Sequence, residues 1–138
     1  MGFQGVEPDK RQDNRGSYTD RILAQCEREL ERLKQTDSEA SIIVWDSMDH
    51  FVKRWREGAL AEELAKSRLK YKQLQGTECR RLRVKQIYAG RHHRVALVIT
   101  ECPPEIVFVA IYAKTDQERG IKRAVRRARD FLEGGGPA

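Results

Sequence analysis

Long apolar runs are missing from this chain of 138 residues. The longest, Ile106 to Ala113, has eight residues, whereas a membrane-spanning helix needs about 20. The N-terminus is polar and shows no signal-peptide h-region, so the expected compartment is the cytoplasm. Cysteine is scarce: Cys26, Cys79 and Cys102 are odd in number and far apart. No pair has CxxC or metal-ligand spacing, so reduced thiols are expected. A P-loop, a GxSxG elbow, an HExxH helix and a dinucleotide fingerprint are all absent. Acidic residues are missing locally as well, with none between Cys79 and Thr100.

What fills that acid-free stretch is basic. From Arg80 to Lys114 the chain reads RRLRVKQIYAGRHHRVALVITECPPEIVFVAIYAK. Cations alternate with aliphatic residues at first, and neighbouring side chains of a strand point to opposite faces. A strand over Arg80 to Tyr88 therefore groups Arg81, Arg83 and Lys85 on one face and Leu82 and Val84 on the other. A short turn then delivers Arg91, His92, His93 and Arg94. Such a sheet, apolar on one side and cationic on the other, suits a polyanion. Whole-chain charge agrees: the net is +6 and the pI about 9.4. Residues 1–37 hold seven Lys/Arg and eight Asp/Glu, so the excess lies in residues 38–138. Nucleic acid, the ribosome or an acidic protein are the natural partners for that field; a soluble basic protein without such a partner is the plainer alternative.

The length fits one domain with an appendage. Residues 1–16 carry no periodicity. Ser17 and Asp20 resemble a capping box, and Ile22, Cys26, Leu30 and Leu33 recur at helical spacing, predicting a helix over Thr19 to Lys34. Residues 35–40 read as a linker. Ser41 to Trp45, SIIVW, is β-prone and predicts a short strand, with Asp46 or Ser47 capping the helix that follows. Met48, Phe51, Val52 and Trp55 mark that helix's apolar face, and Gly58 ends it. Trp45 and Trp55 are both expected in the core. A further helix is predicted from Leu60 to Leu74. Three strands follow as a meander, Arg80 to Tyr88, Arg91 to Thr100 and Ile106 to Lys114, with Pro103-Pro104 excluding regular pairing between the last two. Thr115 can cap a last helix carrying Ile121, Val125, Ala128, Phe131 and Leu132 on one side.

A strand, two helices, an antiparallel meander and a C-terminal helix resembles the RelE/ParE toxin superfamily, closest to its HigB/RelE-type members. IIVWDSMDHFVKRWREG is similar to the family's opening strand and its F-x-K-x-W helix. LQGTECRRLRVKQIYAGRHHRVALVI resembles the cationic strand core, and VFVAIYAKTDQERGI resembles the IYAK segment. The resemblance covers residues 41–131. It implies an α+β fold with an antiparallel sheet of about four strands, two helices on one face and a C-terminal helix. Residues 1–40 become an extension with one amphipathic helix, ahead of a toxin domain over residues 41–138.

The resemblance also implies a function: the toxin of a type II toxin–antitoxin system, a metal-independent endoribonuclease that cuts ribosome-bound messenger RNA and so inhibits translation. It requires no cofactor, and its partners are a cognate antitoxin, the messenger RNA and the ribosome. In such cleavage the ribose 2′-OH attacks its own 3′ phosphate, which takes a base, an acid and cations for the developing charge. By position, Arg81, Arg83, Arg94 and Lys114 match the family's cations. Arginine suits bidentate phosphate contact but is a poor base, its pKa lying above about 12. Proton transfer is left to His93, His92, Lys85 and Lys114. Arg80, Lys85, Arg91 and His92 are candidates for RNA contact. Tyr112, expected on the face that carries Lys114, is the candidate for stacking on a base. The Tyr that such enzymes often carry beyond the AK segment has no counterpart near Ile121. Two other readings stay open, a ParE-like inhibitor that binds DNA gyrase and an RNA- or ribosome-binding module without chemistry.

Overall fold

The structure, a computed structural model, describes residues 16–58, 71–79 and 82–134, leaving out the side chains of 71–79 and Arg83. In chain order the elements are β1 (Thr19–Ile22), α1 (Ala24–Thr36), α2 (Ser38–Arg56), β2 (Tyr71–Cys79), β3 (Leu82–Ala89), β4 (His93–Glu101) and β5 (Pro104–Ala113). A 3-10 turn (Lys114–Asp116) leads into α3 (Gln117–Gly134). The fold is α+β. One sheet of five strands runs in the order β1-β5-β4-β3-β2. β2 to β5 form an antiparallel meander, and β1 adds parallel to β5, with Thr19 opposite Glu105 and Ile22 opposite Phe108.

Helix pair and C-terminal helix cover opposite faces of this sheet. Adjacent residues of β1 show it: Asp20 pairs with Arg56 of α2 at 2.8 Å, while Arg21 stacks on Phe131 of α3 at 5.3 Å. Because side chains alternate along a strand, the two belong to different faces. Both faces are apolar. Ile87, Val95, Leu97 and Phe108 join Leu23, Cys26, Val44, Met48 and Phe51 on the helix-pair side. Val84, Ala96, Val98 and Ala110 lie on the other side with Ala124 and Ala128. A strand covered on both faces reads as a continuous apolar run, and Ile106 to Ala113 is such a run.

Several expectations need correction. Thr19 to Ile22 is strand, not the first turn of a helix. Ile22 therefore leaves the helical stripe, and Asp20 accepts from Arg56 rather than closing a capping box. Ser41 to Trp45 is helix, inside α2. Its β-prone side chains are overruled by what surrounds them. Asp37 caps α2 by accepting from the Ala40 amide at 3.1 Å. Ser41 and Val44 also continue, upstream and in phase, the buried stripe of Met48, Phe51 and Val52. Ile42 and Trp45 point outwards at 59% and 51% exposure, so Trp45 is not a core residue. Trp55 is half-buried, packed edge-on to Tyr18 and stacked with Phe51. Gly58, at φ 72°, stands just beyond the last helical turn, in the left-handed conformation that glycine adopts at no steric cost.

The predicted helix over Leu60 to Leu74 lies outside the described residues up to position 70, and Tyr71 to Leu74 within it are strand. The three meander strands fall within two residues of their predicted starts and one of their ends. Pro104 pairs with Glu101, so the interruption at Pro103-Pro104 shrinks to a turn at Cys102 and Pro103. β1 and α1 come from the stretch read as an extension, yet they share the sheet and core with the rest. Among the described residues no helix is long and apolar enough to cross a membrane.

Candidate nucleic-acid interface

The basic residues gather where the β3–β4 turn meets the end of β5. The turn passes through Gly90, at φ 75°, and the Ile43 side chain of α2 rests against that glycine. Arg91 and His92 are exposed on it. His93 opens β4 opposite Ala113, the last residue of β5. The Lys114 amide then donates to the His92 carbonyl at 2.8 Å. The result places Arg91, His92, His93 and Lys114 at one end of the sheet, with Lys114 exposed and His93 half-buried.

His93 differs electrically from its neighbours. Burial lowers its pKa below the ordinary 6.5, with Asp37 opposing and the charges of His92 and Arg94 adding to the depression. A ring held neutral in this way can accept a proton at pH 7. It lines a groove of about 540 Å³ whose walls carry Arg32 of α1 and Asp116, Arg123 and Arg127 at and beyond the end of β5.

Arg94 does something else. It is 4% exposed, on the α3 face, and its guanidinium lies 3.8 Å above the Tyr88 ring. Nη1 donates to the His93 carbonyl at 2.8 Å and lies 3.5 and 3.4 Å from the Gly90 and Arg91 carbonyls. The side chain thus ties the turn together from beneath instead of presenting its charge to a phosphate. Among the described residues Nε finds no hydrogen-bond partner. Tyr112, directly across from Arg94, is 3% exposed. Its hydroxyl donates to Gln86 Oε1 at 2.6 Å, and burial pushes that hydroxyl far above the ordinary phenol range. It offers no face for a base to stack on. Nor does it share a face with Lys114, because β5 ends at Ala113 and Lys114 opens the 3-10 turn.

Of the strand cations, Lys85 and Arg94 do not converge. Arg83 is five residues before Tyr88, the partner of Arg94, about 17 Å along the strand at 3.3–3.4 Å per residue. Lys85 lies across from Leu97 on the helix-pair face, half-buried. Arg80 and Arg81 lie outside the described residues.

A second constellation was not visible in the sequence. β1 covers β5 only as far as Phe108, leaving the edge bare beyond it. There Glu29 of α1 accepts from the Ile111 amide at 3.0 Å, and Arg127 of α3 donates to the Val109 carbonyl at 2.9 Å. Arg127 also grips both carboxylate oxygens of Glu29, at 2.9 and 3.0 Å, and Arg123 adds a bond at 3.2 Å. Two side chains thereby stand in for a missing strand. No family model, curated protein or solved structure matches the chain.

Proposed function

We propose that the protein is a RelE-like toxin that cleaves messenger RNA at the ribosome, with its chemistry at the β3–β4 turn and the end of β5. The observation that carries this reading is a histidine kept neutral by burial, His93, at the same sheet end as the exposed cation Lys114. His93 takes the proton from the 2′-OH. The freed oxygen attacks the adjacent phosphorus, a 2′,3′-cyclic phosphate forms, and the 5′ oxygen leaves with a proton from a neighbouring acid. Lys114 meets the charge that builds on the phosphate oxygens, and Arg91 and His92 hold the flanking backbone. Arg94 and Tyr112 support the turn and touch no RNA. The order of a strand, two helices, a meander and a C-terminal helix is compatible with the family layout, with Thr19–Ile22 as its strand. A cognate antitoxin belongs to the same reading.

A second reading is favoured by the burial of Arg94 and Tyr112: an RNA- or ribosome-binding module with the fold and no cleavage. Expression without an antitoxin separates the two. Growth arrest with cleaved messenger RNA supports the nuclease, and arrest with intact messenger RNA supports the binding module. Relaxed plasmid with intact messenger RNA points instead to gyrase. In cleavage assays with purified protein and translating ribosomes, His93→Gln is expected to lower the rate by about 10²–10⁴-fold, the usual yield of a general base. The wild-type rate should rise with pH to a midpoint below 6.5 and stay flat through pH 7–8, because the base form of a depressed histidine is already complete there. A midpoint at or above 6.5 removes His93 from that role.

A further inference from the structure

α2 carries on its outer face a combination found nowhere else among the described residues. Ile42, Ile43 and Trp45 are the exposed large apolar side chains, at 59%, 47% and 51%. Exposed Glu39, Asp46 and Asp49 flank them. The Ile42 and Trp45 surface is costly to leave in water. Asp49 holds Lys53 at 3.0 Å, while Glu39 and Asp46 keep the stripe acidic, and a basic surface complements it.

The chain supplies such a surface. On the outer side of α3, Arg119, Lys122, Arg126 and Arg129 are all exposed. Their spacing is three, four, three, which keeps them on one stripe of a helix. Glu39, Ile42, Asp46 and Asp49 have the same three, four, three spacing on α2. Laid against one another, the stripes set acids against bases. The aliphatic stems of Lys122 and Arg126 cover Ile42, and a guanidinium can lie on the half-exposed Trp45 ring.

We infer that the α2 stripe of one copy docks on the α3 stripe of a second copy, head to tail. Direction follows from the fold. α2 and α3 lie on opposite faces of the sheet, so one molecule cannot match its own stripes, and each copy keeps one free stripe of either kind. A contact of this type is heterologous and extends into chains or closes into rings. The inference concerns association alone, and its test reads mass rather than cleavage.

Sedimentation of nuclease-treated protein tests it. The wild type should exceed the 16.0 kDa monomer and grow heavier with concentration. Asp46→Lys/Asp49→Lys removes the acidic stripe, and Lys122→Glu/Arg126→Glu removes the basic one. Each variant alone should sediment as a monomer, with circular dichroism confirming that it is folded. Mixing the two variants is decisive: the intact stripes of the two match, and so do the reversed ones, so the mixture should regain association beyond the monomer that neither variant shows alone. A wild type that stays monomeric at every concentration overturns the inference. So does association retained by either folded variant alone, or a mixture that fails to pair.

Discussion

Glu29→Ala is expected to lower folding stability by about 3–5 kcal/mol, the usual cost of removing one member of a buried ion pair. The setting is what makes the loss large. Glu29 and Arg127 side chains are 12% and 13% exposed, so water screens them little. Alanine would strand the Arg127 guanidinium, loosen Arg123 and leave the Ile111 amide without an acceptor. Glu29→Gln, which keeps an oxygen for that amide but not the charge, should fall between alanine and wild type. Pairing Glu29→Ala with Arg127→Met should recover much of the loss, because no buried charge is then left unpaired. Urea denaturation measures all three. A change within about 0.5 kcal/mol, the scale of an ordinary surface substitution, would mean that the edge of β5 is held by something other than this pair.

Gly120→Ala should destabilise the protein, against the usual direction for a glycine inside a helix. Helix propensity alone favours alanine by about 1 kcal/mol. Here a Cβ at position 120 would land on the ring of Tyr112, in contact with Cγ and both Cδ atoms. The ring cannot swing clear while its hydroxyl is bonded to Gln86 beneath α3. Overpacking of this kind costs about 1–3 kcal/mol, enough to reverse the propensity gain. Adding Tyr112→Leu should restore room, so Gly120→Ala in that background should be neutral or stabilising. A higher melting temperature for Gly120→Ala in the wild-type background would show that α3 can shift away from β5 freely.

The sequence was most legible where two signals coincided. β3, β4 and β5 combine β-branched residues with turn residues between them, and their limits lie close to the expected ones. α3 joins an apolar stripe to a polar remainder. Legibility failed where a local signal was overruled from a distance. SIIVW has the side chains of a strand, but Asp37 caps ahead of it and its buried stripe continues into Met48 and Phe51. Thr19 to Ile22 keeps the polar look of a helix start because it is an edge strand, held by hydrogen bonds to β5 more than 80 residues on.

The candidate site divides in the same manner. Arg91, His92, His93 and Lys114 could be nominated because the turn and the strand ends were visible. Whether a cation in that stretch faces water or packs inwards could not be read, since it depends on which aromatic lies across the sheet. Tyr88 and Tyr112 lie across from and beside Arg94 and take it out of the solvent-facing set. Glu29 and Arg127 are 98 residues apart, and no local pattern joins them.

The placement of β1 has a consequence for how the chain is made. Synthesis proceeds from the N-terminus, so β1, α1 and α2 emerge before the oiliest segment, Ile106 to Ala113. When that segment leaves the ribosome, the strand and the glutamate that shield its edge are already waiting. Loss of the first 22 residues to a protease would undo this order. Newly made β5 would then meet its own copies before it met a cover, and an uncovered apolar edge is the usual seed of strand-to-strand aggregation.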